Sequence, residues 1–441
     1  FLNFTGDEDE PLGMNCDSFY GQFGCPGVIV VYGGEGKVLF AQYYNSGCLI
    51  QYEAGEGYTY LDGGICAAKG FQAAGIEAGI KYQNRKDMAI IYSEKPCVAA
   101  GTFTSNVVKA APVKWDRKLL EESPYVQAVI VNTGIANAGT GAEGMKLCEE
   151  TAKEASRVLG IPENAVLVGS TGVIGAQLPI DRIKAGISRL AEAKNDSLEA
   201  GTDASRAIMT TDTVNKELAV QVEIGGVTVT LGAMSKGSGM IHPNMCTMLG
   251  YVATDAVIEK EVLQKLLRED VVDTYNMISV DGDTSTNDTL LVLANGMAGN
   301  PTIQEGTADY EAFRAALHYV NETQAKRLAG DGEGATALVE CHVYHADTKE
   351  NARILAKSVI CSSLTKAAVY GHDANWGRIL HQNVNKELSH MFVERLQLSP
   401  KERYEQFNRR YPGLINRVKL KYVAAFLGIS IYTLSRVRAK K

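Results

Sequence analysis

Between residues 63 and 380 the sequence alternates short apolar runs that end in glycine-rich loops with longer stretches whose apolar residues recur every three or four positions. QAVIVNTG (127–134) and AVLVGSTG (165–172) are of the first kind. This texture is that of strands alternating with helices, and it predicts an α/β body of layered sheets and helices. Thr140 and Glu143 read as a T-x-x-E capping box, after which Met145, Cys148, Ala152, Ala155 and Leu159 keep helical spacing until Gly160. A second helix is expected to carry Ile258, Val262 and Leu266 on one face, with Val271 a further candidate, and a third to run from about Asp309 through Phe313, Leu317 and Val320. Such stripes are read as core contacts.

The flanks differ from this body. Residues 1–62 are rich in Gly and Tyr, and the runs at 28–32 and 37–40, separated by Gly33-Gly34-Glu35-Gly36, predict a β-hairpin. After residue 380 glycines become scarce and the pattern turns polar and helical. From Lys401 to Lys441 there are eleven Lys and Arg against Glu402 and Glu405, a local excess of nine positive charges. The divisions read from these shifts are 1–62, 63–246, 247–380 and 381–441.

The whole chain, with 44 Lys and Arg against 51 Asp and Glu, is acidic, which argues against a body devoted to nucleic acid. Nine cysteines without a C-x-x-C pair suit neither a disulfide framework nor a zinc site and point to a reduced, cytoplasmic setting. No stretch of about 18 uninterrupted apolar residues is present, so a soluble protein is expected. Asp281, Asp283 and Asp288 resemble part of a metal loop but lack the closing glutamate, and no metal is expected.

The most informative segment is SKGSGMIHPNMCTMLG (235–250). A Gly- and Pro-bearing loop leads to Cys246-Thr247 and then into the apolar run LGYVAT, so a threonine sits at the mouth of a buried strand. A threonine hydroxyl needs a base beside it, and an N-terminal α-amine with a pKa of about 7.7–8.0 can serve as one. Cleavage between Cys246 and Thr247 would create that amine. By its residues alone, a Cys-Thr pair before a strand is also what ordinary β-propensity produces. His242 and His372 are not required as bases if the amine does this work.

That segment, together with KGFQAAGIEAGIK (69–81), STGVIG (170–175), IMTTDT (208–213), VDGDTSTNDTLLVLANG (280–296), DGEGAT (331–336) and GHDANWGRIL (371–380), resembles the ornithine acetyltransferase (glutamate N-acetyltransferase) family in order and spacing over about 63–380. The resemblance implies an N-terminal-nucleophile fold of the ornithine acetyltransferase type. It implies that Thr247 is the nucleophile and new N-terminus, that Thr171 and Gly172 form the oxyanion hole, and that Thr210, Lys236 and Glu333 contact substrate. The implied reaction moves an acetyl group from N-acetyl-L-ornithine to L-glutamate, in arginine biosynthesis, without a cofactor. Some members of the family also accept acetyl-CoA, and no residue here decides that point. Cleavage would give an α/β heterodimer of 246 and 195 residues.

The chain departs from the family pattern in three places. Gly139 stands where cysteine is usual, Cys246 replaces the commoner alanine, and the motifs end at Leu380, so the family's C-terminal Asn and Thr have no counterpart. In their place, Val423, Ala424 and Phe426 form an apolar helix face, Leu427-Gly428-Ile429 a tight turn, and Ser430 a cap for a second helix bearing Leu434, Arg436 and Arg438. This is helix-turn-helix spacing, and the tail resembles the C-terminal DNA-binding part of Crp/Fnr-type regulators, which implies DNA contacts from Arg436 and Arg438. A basic amphipathic surface helix is the plainer alternative. Residues 1–62 are loosely similar to the β-roll of the same regulators. Two rivals to a working acetyltransferase follow: a DNA-binding regulator carrying an inert body, and a core left incomplete by the missing C-terminal strands.

Overall fold

The computed structural model describes residues 27–33, 37–45, 58–242, 248–343, 346, 348–373, 375, 377–379, 399–410, 413, 415, 418–427 and 429–439. They fall into two compact units, one reaching Cys361 and one beginning at Ser362.

The first unit contains strands β1 (Gly27–Gly33), β2 (Lys37–Asn45), β3 (Tyr58–Leu61), β4 (Phe71–Ile76), β5 (Met88–Phe103), β6 (Val126–Ile135), β7 (Val166–Val173), β8 (Lys216–Ile224), β9 (Val227–Lys236), β10 (Leu249–Thr254), β11 (Thr289–Ala294) and β12 (Ala337–Val343). Its helices are α1 (Ala111–Glu122), α2 (Gly141–Leu159), α3 (Ile180–Ala193), α4 (Leu198–Ala207), α5 (Lys260–Asp273), α6 (Ala308–Gly330) and α7 (Lys349–Ile360). The larger sheet runs β3-β8-β9-β10-β11-β5-β6-β7, with β4 also paired to β5. Strand β5, 16 residues long, pairs β4 and β6 through its first part and β11 through its last, and its ladder slips between Tyr92 and Cys97. A slip of this kind bends a strand, so β5 turns the larger sheet between its β11 side and its β4 and β6 side. The expected hairpin is present as antiparallel β1 and β2, and β2 goes on to pair with β12.

Two of the pairs are parallel, β6 with β7 and β10 with β11, and each is closed by a helix, α2 and α5 respectively. Parallel neighbours require such a crossover, and helices on the faces bury both sides of the strands. This explains why nine of the ten residues of β6 and all six of β10 and of β11 are buried, and why their sequences read as apolar runs. The period of two then divides them between two cores. Leu249, Tyr251, Ala253, Leu291 and Leu293 pack with Ile90, Val129 and Leu167 of β5–β7 and Cys148 and Ala152 of α2. Val252, Leu290 and Val292 pack with Leu263, Leu266 and Leu267 of α5 and Phe313, Leu317 and Val320 of α6. The result is the layered α/β arrangement expected from sequence.

Two local expectations are corrected. The capping box of α2 does not close: the Thr140 hydroxyl donates to Asn137 Oδ1 at 2.9 Å, because Asn137, held at φ +49°, turns its amide back over Gly144. Gly160 does end that helix, in the left-handed conformation. Ile258 lies ahead of α5, in an isolated bridge to Ile303, and the buried stripe of the helix is Leu263, Leu266, Leu267 and Val271.

In the second unit, α8 (Ser363–Tyr370) precedes three short helices, α9 (Pro400–Arg410), α10 (Leu420–Leu427) and α11 (Ile431–Ala439). The last three share a small core of Tyr404, Phe407, Val423, Ala424, Leu427 and Leu434. Ser399 and Glu402 exchange hydrogen bonds in a closed capping box for α9, and Ser430 caps α11 by accepting from Thr433 N–H at 3.0 Å. The helix-turn-helix spacing thus matches helices α10 and α11; Gly428 and the Phe426 side chain lie outside the described residues. No described helix is long and apolar enough to cross a membrane.

Helices α5 and α6 are locked by Asp270, which accepts from His318 Nδ1 at 2.6 Å and from Asn321 Nδ2 at 2.7 Å. The Asp270 bond raises the His318 pKa against the opposing effect of burial, with Glu322 and Asp273 adding to the rise. A pKa raised in the folded state stabilises fully below the unfolded value of about 6.5 and less as pH climbs through the folded value. Thermal melts from pH 5.5 to 8.5 are expected to show the parent losing more Tm than His318→Gln across that range.

Candidate active site

Strand β9 delivers Lys236 directly beside Leu249, the first residue of β10, in an antiparallel register. Between them lies the loop that leads toward the expected nucleophile. Residues 243–247, and with them Cys246 and Thr247, lie outside the described residues. The frame around them is defined: the Met248 carbonyl accepts from Thr289 N–H at 3.0 Å, which ties the entry of β10 to β11.

Lys236 is buried, and its Nζ donates to Thr171 Oγ1 at 3.2 Å. Burial pulls its ammonium below the ordinary range, against the Asp212 carboxylate, which works to raise it. Thr171 and Gly172 stand at the end of β7, where the parallel register sets Gly172 against Gly134 of β6. At Gly172 φ is +129°, and a Cβ would come within 2.3 Å of the Gly134 carbonyl carbon. Only glycine fits, so the backbone at this point is fixed by the close approach of two strands.

Thr210 enters through its backbone. Its N–H donates to Asp212 Oδ2 at 3.0 Å, and its carbonyl accepts from Arg85 at 2.7 Å. Asp212 Oδ1 also accepts from Gly237 N–H at 2.6 Å and from Lys216 Nζ at 2.7 Å. Burial works to raise the Asp212 carboxyl, but Lys236 and Lys216 outweigh it and hold it below its usual range. The same Lys216 Nζ reaches Asp331 Oδ2 at 2.5 Å. Asp331 in turn accepts from Thr213 N–H at 3.1 Å and from the Thr213 hydroxyl. Its carbonyl accepts from Ser238 Oγ at 2.7 Å, and Ser238 O accepts from Glu333 N–H at 3.2 Å. Glu333 is exposed, and its carboxyl lies over Gly239, where a Cβ would meet the carboxyl carbon at 2.6 Å.

The structure therefore brings Thr171, Gly172, Thr210, Lys236 and Glu333 into one connected set at the head of β10. Arg436 and Arg438 belong to the other unit. Asp212, Lys216 and Asp331 were not singled out from sequence, although Asp212 and Asp331 stand inside quoted motifs. Asp288, read from sequence only as part of a metal-like loop, stands buried just ahead of β11. Neither of its carboxylate oxygens has an aligned hydrogen bond among the described residues. Burial pushes its carboxyl well above the usual range, with Met248 N–H, Thr104, Lys236 and Ser285 pulling the other way. Among the described residues no group of three or more His, Cys, Asp or Glu is placed to hold a metal ion. A buried ammonium beside an exposed carboxylate suits a small zwitterion, one charge meeting each.

The ArgJ family model matches residues 72–405, past Leu380 where the motifs end. The bifunctional arginine biosynthesis protein ArgJ of Symbiobacterium thermophilum is 54% identical over 323 residues, 73% of this chain and 80% of that one. ArgJ 1 of Clostridium acetobutylicum is 52% identical over 313 residues, 70% of this chain and 75% of that one. Among solved structures, ArgJ from Bacillus halodurans is 42% identical, covering 43% of this chain and 97% of that one with a TM-score of 0.41. Ornithine acetyltransferase from Mycobacterium tuberculosis, solved with ornithine, is 38% identical, covering 42% and 98% with a TM-score of 0.40. The relatives at this level of identity make the protein an acyltransferase. The chain belongs to the ArgJ family, and its pathway is arginine biosynthesis. The reading of the whole chain as a regulator draws no support from these matches.

The crowding at Gly172 gives a direct test of the frame. Gly172→Ala is expected to cost about 2–4 kcal/mol, from overpacking against Gly134 and a positive φ in a residue with a side chain. Urea unfolding should show the loss; an unchanged midpoint would mean that β6 and β7 are not this close.

Proposed function

We propose that the chain transfers an acetyl group from N-acetyl-L-ornithine to L-glutamate by way of an ester on Thr247, after cutting itself between Cys246 and Thr247. The observation that carries this reading is the 3.2 Å contact between Lys236 and Thr171, which sets a buried cation against the threonine assigned to the oxyanion hole. In maturation the Thr247 hydroxyl attacks the Cys246 carbonyl, the peptide nitrogen takes the proton, and water hydrolyses the resulting ester. The freed α-amine then acts as base. It takes the hydroxyl proton as Oγ attacks the acetyl carbonyl of N-acetylornithine, and ornithine leaves with that proton on its α-amine. The amine of glutamate attacks the acetyl ester, and N-acetylglutamate leaves Thr247 free again.

Thr171 and Gly172 hold the tetrahedral oxyanion in each step, and loss of one such donor costs roughly 10²–10³ in rate. Lys236 meets a substrate carboxylate, Glu333 an ammonium, and Thr210 lines the same space. Acetyl-CoA is a second candidate donor. The two pieces of the cleaved chain form an α/β heterodimer, in a cytoplasmic setting consistent with the free thiols of Cys66, Cys97, Cys148, Cys341 and Cys361.

Denaturing mass analysis of the parent beside Thr247→Ala tests the first step. Fragments ending at Cys246 and beginning at Thr247 are expected in the parent alone, and an intact parent would overturn the proposal. Glu333→Gln should then raise KM for N-acetylornithine about tenfold or more, the scale of one hydrogen bond to a charged group.

A second reading concerns the C-terminal unit, where the packed α9–α11 and the capped start of α11 favour a DNA-binding element. Arg436 and Arg438 then contact the phosphate backbone. Fluorescence anisotropy with duplex DNA should show affinity falling between 50 and 200 mM salt by roughly 10³ or more if about six phosphates are contacted. Arg436→Ala with Arg438→Ala should flatten that dependence, and binding that ignores both arginines would sink the idea.

A further inference from the structure

We infer that Lys216 is a positioning residue of the substrate site: by engaging Asp212 and Asp331 together it leaves Lys236 available to a substrate carboxylate and fixes the Glu333 loop beside it. The inference rests on the proposed roles of Lys236 and Glu333.

Lys216 opens β8, and its side chain is only 1% exposed. Its Nζ lies 2.7 Å from Asp212 Oδ1, 2.5 Å from Asp331 Oδ2 and 3.3 Å from the Val214 carbonyl, which uses its three donors. Asp212 is the carboxylate with the strongest hold on Lys236. Both of its oxygens are already occupied, one by Lys216 and Gly237 N–H and the other by Thr210 N–H. Lys236 accordingly turns to the neutral hydroxyl of Thr171, and that is its one hydrogen bond among the described residues. Among the described residues nothing engages its other two donors, which suits an incoming carboxylate. Without Lys216, Asp212 would be left to draw on Lys236, and that ammonium would be neutralised from within.

The second arm fixes geometry. Asp331 ends α6, two residues ahead of Glu333, and the pair Lys216–Asp331 joins positions 115 residues apart. One partner lies before Thr247 in sequence and the other after it, so in a cleaved protein this ion pair would bridge the two pieces. Asp331 also carries Ser238 on its carbonyl, and Ser238 holds Glu333 N–H. The position of the Glu333 carboxylate relative to Lys236 is thus set by the anchoring of Asp331 to Lys216.

The test uses the full-length protein and L-ornithine as the probe, with binding followed by titration calorimetry and turnover by acetyl transfer. Lys216→Met risks misfolding because it strands two carboxylates, so the deciding variant is Lys216→Gln with Asp331→Asn, which removes one charge of each sign. Ornithine Kd and substrate KM are expected to rise about tenfold or more in the double variant, with kcat changing less than about threefold. Lys216→Arg should retain affinity closer to the parent. Parent-like Kd and KM in the double variant, or a fall in kcat alone, would overturn the role of Lys216 while leaving the proposed function standing. A parent that cleaves and turns over but does not bind ornithine would instead remove the assigned roles of Lys236 and Glu333, and this inference with them.

Discussion

Two lysines buried within reach of one carboxylate set the constraint on which the rest of the site depends. An ammonium taken out of water costs several kcal/mol unless a partner and hydrogen bonds compensate, and here Lys216 and Lys236 must both be accommodated. Asp212 resolves part of this, and its own burial is compensated by backbone donors from Thr210 and Gly237. The loops after α4 and β9 are thereby drawn to the same point. Asp331 brings in the end of α6. Three segments far apart in sequence are held by the need to neutralise a small volume of charge.

The fold was legible wherever burial on both faces writes itself into sequence. QAVIVNTG and LGYVAT became β6 and β10 because every position in them is buried, and AVLVGSTG became β7 with all but its final glycine buried. Helix ends were legible where a single residue decides, as at Gly160. They were not legible where two side chains had a choice, as at Thr140, which bonds Asn137 in preference to closing a box with Glu143. Ile258 has the spacing of a helical residue but is claimed by a bridge to Ile303, a contact that local periodicity cannot reveal.

The site was legible to a different degree. Lys236 and Thr171 were named through resemblance, and the structure places them in contact. Lys216 was missed because nothing near it in sequence distinguishes a buried lysine at the start of a strand from a solvated one. Its meaning comes from Asp331, and no spacing rule links residues so far apart. Asp288 was noticed only as one acid of a metal-like loop, and the packing of β11 between β10 and β5 is what takes it out of water.

The span of the Lys216–Asp331 pair has a bearing on how the chain reaches its final state. Contacts that close long stretches of chain form late, since the entropy of the intervening segment must be overcome before they give any return. Between these two residues lie β9, β10, the α5 crossover, β11 and all of α6, each of which must be in place for the two charges to meet. A chain stalled with only β4–β7 assembled would have a stable-looking core and no charge cluster at all. The charge cluster therefore exists only where β8–β11 and α6 are assembled together, and no local segment of the chain can hold it alone.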